Sequence, residues 1–141
     1  MTGCSGSNEG GGDALSFEQS AGEAWPQPTN FPPHPGSTLH LWRIDLARLK
    51  DSSLEIELLS VDEVDRANRL RSDEDRWRFE TSRVTLRKIL GAYLERAPTE
   101  LVFEYGETGK PTLKAHPQDG ESTSLSFNVS HSGQVALCAV A

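Results

Sequence analysis

Hydrophobic and polar positions alternate through Leu39-His-Leu-Trp-Arg-Ile-Asp-Leu46, setting Leu39, Leu41 and Arg43 on one face and predicting an opening strand. The period then changes. Ser60-Val-Asp-Glu63 has the form of a capping box, in which a serine hydroxyl and a glutamate carboxylate satisfy the first free amides of a helix. The helix it opens carries Val64, Ala67 and Leu70 and is expected to end near Arg71. Ser72-Asp-Glu-Asp75 starts a second helix, with acids in the first turn where the macrodipole favours them. At about 100° per residue, Phe79, Leu86, Ile89, Leu90 and Tyr93 form one apolar stripe. This helix is expected from about Asp73 to about Glu95, with Ala97-Pro98 as its stop.

Four strand-like pieces or turns follow: Leu101–Tyr105, a Gly-rich turn with Lys110-Pro111, Ser124–Val129 and Gln134–Ala141. A strand, two helices and further strands predict an α+β fold. The last piece is apolar on both faces, with Val135, Leu137 and Ala139 opposite Ala136, Cys138 and Val140. Such a strand is usually covered on both sides. It is either the final strand of a small sheet or the place where a larger fold is cut.

Composition divides the chain. Residues 1–36 hold 7 of the 12 glycines and 5 of the 8 prolines, four acids and no Lys or Arg. A stretch of this kind cannot bury enough apolar surface to offset about 1–2 kcal/mol of backbone entropy per residue, so a disordered tail is expected, followed by one domain over 37–141. No apolar run approaches the ~20 residues of a membrane span, and the N-terminus lacks the basic and hydrophobic regions of a secretory signal. Two cysteines, Cys4 and Cys138, make neither a disulfide framework nor a metal cluster, so a reducing, cytoplasmic setting is expected. A net charge of -7 argues against nucleic acid as a partner.

Two motifs carry candidate chemistry. Gly106-Glu-Thr-Gly-Lys-Pro111 is not a Walker A loop, because Glu104 stands where the first glycine belongs and Pro111 where the Mg-binding hydroxyl belongs. It reads as a hairpin turn that presents Lys110 on a constrained backbone. In Asn128-Val-Ser-His-Ser132, neighbouring residues of a strand point to opposite faces, so Ser130 and His131 do not form a nucleophile and base, and there is no Gly-x-Ser-x-Gly elbow. The segment is either a capped strand end or, with Lys110, a turn that cradles an anion. Arg76, Arg83 and Arg87 line the edge of the second helix with Glu80 among them, which predicts a solvated face. His34, His40 and His116 have no carboxylate or cysteine at ligand spacing, and no metal is assigned to them.

The order of these signals resembles a known family. The capped acidic helix Ser60–Arg66, the basic helix Arg76–Leu90, Phe103-Glu-Tyr-Gly-Glu-Thr-Gly-Lys-Pro-Thr-Leu113 and Leu125-Ser-Phe-Asn-Val-Ser-His-Ser-Gly133 look like the N-terminal half of a 4′-phosphopantetheinyl transferase of the Sfp type. The likeness covers roughly residues 38–141. It implies the first half of a pseudo-dimeric fold, two helices packed on an antiparallel sheet. It also implies transfer of the phosphopantetheine arm of coenzyme A to a serine of an acyl or peptidyl carrier protein. Carried over, Arg66 matches a position that contacts the nucleotide phosphate. Thr108, Gly109 and Lys110 match the loop beside the adenine nucleotide, and Asn128, Val129, Ser130 and His131 match the segment lining the coenzyme A phosphates. Arg83 matches an arginine common in the family.

One departure matters. The family's Gly-(Ile/Val)-Asp-(Ile/Val)-Glu segment and later Trp/Lys-Glu motif, which hold Mg²⁺ and supply the base, have no counterpart in this sequence. Phosphoryl transfer leans on the metal to neutralise developing charge, so this chain is expected to hold the nucleotide-binding half, to carry no catalytic or metal-binding residue of its own, and to be inactive alone. A non-catalytic coenzyme A-binding or protein-interaction module is the alternative.

Overall fold

A computed structural model describes residues 38–50, 53–116 and 125–141. The Gly/Pro-rich stretch over 1–36, expected as a disordered tail, lies outside the described residues. The elements in chain order are β1 (His40–Asp45), α1 (Val61–Asn68), α2 (Asp73–Leu94), β2 (Phe103–Tyr105), β3 (Pro111–Leu113), β4 (Phe127–Ser132) and β5 (Val135–Val140). Short 3-10 turns occupy Ala47–Leu49, Ile56–Leu58 and Pro98–Glu100. The fold is α+β, with two helices and antiparallel sheets. β5 lies at the centre of a three-stranded sheet of order β1-β5-β4, and β2 and β3 form a separate hairpin.

Register explains which side chains form the core. His40 and Phe127 pair with Val140, Trp42 and Val129 with Cys138, and Ile44 and His131 with Ala136. One face of the sheet therefore carries Ile44, Ala136, Cys138, Val140 and Phe127, all buried against Leu86, Ile89, Leu90 and Tyr93 of α2. Each Ile, Val, Leu or Phe side chain among them contributes about 1.5–3 kcal/mol by leaving water. The buried face of β1 is the Trp42–Ile44 one; the Leu39–Leu41–Arg43 set picked out by alternation faces away, with Leu41 left 40% exposed. On that second face Val135, Leu137 and Ala139 are only half-buried, so β5 is fully covered on one side rather than two.

The helices begin as the sequence indicates. Ser60 Oγ accepts from the Glu63 amide while the Glu63 carboxylate accepts from the Ser60 amide, completing the capping box. α1 ends at Asn68, short of Arg71, because Ser72 must be extended (φ -109°, ψ 147°) to cap α2. α2 stops at Leu94, where Glu95 turns left-handed (φ 53°) and the Arg96 amide donates to Gly91 O at 2.8 Å. That return brings the chain so close that a Cβ on Gly91 would sit 2.7 Å from Arg96 O.

The arginine row is not a solvated face. Arg83 and Arg87 are buried, at 9% and 1% exposure. Arg87 Nε donates to buried Glu63 at 2.7 Å, and its Nη1 donates to the carbonyls of Pro98 and Leu101. Internal acceptors, and not Glu80, satisfy this guanidinium, and an ion pair so satisfied can sit inside a core. Only Arg76 remains partly solvated, beside Asp73.

Candidate functional site

The β2–β3 hairpin is built by its turn. Gly109 N donates to Gly106 O at 2.8 Å and Gly106 N to Lys110 O at 3.2 Å, with Gly109 at φ 73°. This is a tight three-residue loop closed by a left-handed glycine. Nothing lies within 4 Å of a Cβ built on Gly109, so the glycine is required for its φ angle and not for space. Thr108 and Lys110 stand exposed on the loop. At the same end of the hairpin, Tyr105 pairs with Pro111 and turns its ring toward α1. The Arg66 guanidinium lies 5.5 Å from the Tyr105 ring centroid and 5.8 Å from that of Phe79 on α2. Arg66 is the basic residue of the last turn of α1, where the helix dipole favours a cation.

The Asn128–His131 segment is strand and not turn. It lies in β4, an edge strand, and the turn falls at Gly133-Gln134, with Gly133 at φ 57° as a two-residue hairpin requires. Asn128 and Ser130 therefore share one face, while Val129 and His131 lie on the face that carries Phe127. The four side chains therefore do not project from one face of β4. Phe127 packs edge-on to Phe103 at 5.8 Å, and Gln134 Nε2 donates to Glu74 Oε1 at 3.2 Å. That hydrogen bond, with Lys50 and Arg78 adding to it, holds Glu74 below the usual carboxylate range.

These contacts fix the geometry of the candidate site. The β4–β5 hairpin meets α2 at Glu74, and Phe103, which packs on Phe127, lies 5.9 Å from the Arg83 guanidinium. Arg66 meets α2 at Phe79, about 7.5 Å along the axis from Glu74. Arg66 and the Tyr105 end of the β2–β3 hairpin thus meet at Phe79 and Arg83 of α2, while the β4–β5 hairpin meets α2 at Glu74. Among the described residues no hydrogen bond or ion pair joins Lys110 to Asn128–His131; they are linked through the hairpin and the Phe103–Phe127 contact.

Charge pairing separates these groups from their surroundings. Lys50, Arg76, Arg78, Lys88 and Lys114 each have a carboxylate partner. Among the described residues Arg66 and Lys110 have none, as is also true of Arg69 and Arg71 between the helices, and the side chains of Asn128, Ser130 and His131 make no hydrogen bond. Exposed cations and donors held in place without internal partners can bind an anion by charge-assisted hydrogen bonds. Sequence reasoning missed Phe79 and Tyr105 as the shelf beneath Arg66. Phe79 was legible only as part of the apolar stripe, although its spacing from Arg83 by one helical turn was a usable signal. Among the described residues no three His, Cys, Asp or Glu side chains come together as a metal site, and no helix is long and apolar enough to cross a membrane.

The family described as 4′-phosphopantetheinyl transferase, N-terminal, matches residues 47–141. The 4′-phosphopantetheinyl transferase HetI of Nostoc sp. (strain PCC 7120) is 42% identical over 120 residues, covering 81% of this chain and 49% of HetI. A putative 4′-phosphopantetheinyl transferase of Synechocystis sp. (strain PCC 6803), slr0495, is 42% identical over 80 residues, or 57% of this chain and 31% of that protein. The chain spans about half the length of HetI and about a third of the second relative.

Proposed function

Because this chain belongs to the 4′-phosphopantetheinyl transferase family, we propose that its described core is the coenzyme A-binding part of an enzyme that modifies acyl or peptidyl carrier proteins. In that reaction the carrier serine oxygen attacks the phosphorus bearing the pantetheine arm. A new P–O bond forms, the pyrophosphate P–O bond breaks, and adenosine 3′,5′-bisphosphate leaves with the electron pair while the serine proton passes to a base. The observation that carries the reading is Arg66, held without a carboxylate partner between Phe79 and Tyr105, beside the loop that bears Lys110. Arg66 and Lys110 bind phosphoryl oxygens, Asn128 and Ser130 add neutral donors from one face of β4, and His131 donates from the other.

Mg²⁺, when bound, neutralises charge that develops on the phosphates. We further propose that this chain's part is binding and orientation and assign it no transfer activity alone, because the motif carboxylates that the family resemblance gives to Mg²⁺ have no counterpart in its sequence. The compartment we assign is the cytoplasm, in keeping with Cys138 as a buried free thiol.

Calorimetry of the chain with coenzyme A tests the reading. Binding is expected, and Lys110→Ala should weaken it about 10-fold or more, the worth of one hydrogen bond to a charged group. Absence of binding by the unmodified chain, or unchanged affinity in Lys110→Ala, would remove the proposed site. Mass spectrometry of a carrier protein incubated with coenzyme A, Mg²⁺ and this chain should show no added arm; a mass gain would overturn the assignment of binding without transfer.

A further inference from the structure

Behind Arg66 lies a second cation. Arg83 is 9% exposed, and its Nη1 is buried with no hydrogen-bond partner among the described residues. Its guanidinium lies 5.3 Å from the Phe79 ring and 5.6 Å from the Tyr105 ring, the same two rings that carry Arg66. Phe103, at 5.9 Å, closes a third side and separates it from Arg87, 5.0 Å from that ring. Three guanidiniums and three aromatic rings therefore form one stack. The buried carboxylate beside them, Glu63, gives one oxygen to Arg87 and leaves Oε1 without a partner. Among the described residues Glu63 is the one buried carboxylate, beside the two buried guanidiniums of Arg83 and Arg87 and the exposed one of Arg66. Burial is the main cause that lowers the pKa of Arg83; Tyr105 and Glu63 oppose it, and Arg66 and Arg87 add smaller pushes in the same direction.

Such a stack favours an anion at its open end, and the gain grows with the anion's charge. A phosphate monoester carries about 1.5 to 2 negative charges near neutral pH, because its second pKa is about 6; a phosphodiester carries one. We propose that Arg83 is a positioning residue that acts through the Phe79–Tyr105 shelf and Arg66, making this site select a phosphate monoester over a diester. The inference rests on the coenzyme A reading above and deepens it, since coenzyme A bears both kinds of group and its dephospho form lacks the monoester.

Calorimetry with coenzyme A and dephospho-coenzyme A measures the selectivity as a ratio of affinities. The unmodified chain should favour coenzyme A, and Arg83→Met should reduce that preference about 5- to 10-fold. Arg83→Lys, which keeps the charge, should retain most of it. An unchanged ratio in Arg83→Met, or a loss in Arg83→Lys as large as in Arg83→Met, would reduce Arg83 to packing and overturn the proposal. Should Arg83→Met not fold, Arg66→Met carries the test on an exposed side chain, and a preference that survives there defeats the idea equally. Phenyl phosphate separates this inference from its premise. If it raises the melting temperature of the unmodified chain more than that of Arg83→Met and Arg66→Met while coenzyme A does not bind, the monoester site stands and the coenzyme A reading falls. If it stabilises all three equally or none, the site itself falls.

Discussion

Cys138 shows at the scale of one residue how the core sets chemistry. It sits on the central strand at 0% exposure, and burial pushes its thiol up to about 12 from an ordinary value of 9.0. The folded state therefore holds this proton more tightly than the unfolded chain does. Below pH 9 the thiol is neutral in both states and contributes nothing to the pH dependence. Between about 9 and 12 the unfolded thiol ionises first, so folding stability should fall as pH rises through that window. Urea midpoints for the unmodified chain and Cys138→Ala across alkaline pH give the check. The midpoint of the unmodified chain should fall more steeply, and parallel curves would show that ionisation of Cys138 is not linked to folding. For the same reason Cys138 should resist alkylation at pH 8 in the folded protein, read by peptide mass mapping, and react once the chain is unfolded.

At the scale of elements, α2 organises the molecule, and it is also where the sequence was easiest and hardest to read. Its limits, Asp73–Leu94 against an expected Asp73–Glu95, follow from local signals: a serine cap, acids in the first turn and an apolar stripe. Its arginines follow from distant ones. The partners of Arg87 are Glu63 on α1 and the carbonyls of Pro98 and Leu101, which periodicity cannot find. β4 was legible only in part for a related reason: its strand character shows in the sequence as far as Val129, but its extent to Ser132 does not. Polar residues in Asn128-Val-Ser-His-Ser132 suggest a turn, but an edge strand with one solvated face accepts them. The Gly109 turn was legible because its geometry is local, whereas the Arg66–Tyr105 contact spans α1 and β2 and was not. The buried pair makes a quantitative test of this long-range packing. Arg87→Met strands the Glu63 charge and frees two carbonyls, which should cost about 3–5 kcal/mol by urea denaturation. Glu63→Met with Arg87→Met removes the stranded charge and should recover at least half of that loss. A double variant no more stable than Arg87→Met would place the cost with the carbonyls and not with the charge.

At the scale of the whole molecule, the proposed ligand and its site have opposed fields. The chain carries a net charge of -7, and coenzyme A is a polyanion, so distant approach is repelled while Arg66 and Lys110 attract at contact range. Salt screens the two effects differently. Near 0.15 M the Debye length falls to about 8 Å, which removes most of the diffuse repulsion and leaves a larger share of the close contacts. The affinity of the unmodified chain for coenzyme A should therefore fall only gently with added salt, far less than for a protein whose whole surface is basic. Lys110→Ala removes one local attraction and leaves the repulsion intact. Its affinity should fall less with salt than that of the unmodified chain, or even rise, so the two titrations converge as salt increases. The comparison needs only calorimetry at low salt and near 0.15 M. If the two proteins keep the same ratio of affinities at both, the lysine acts on the ligand through the fold and not through its charge.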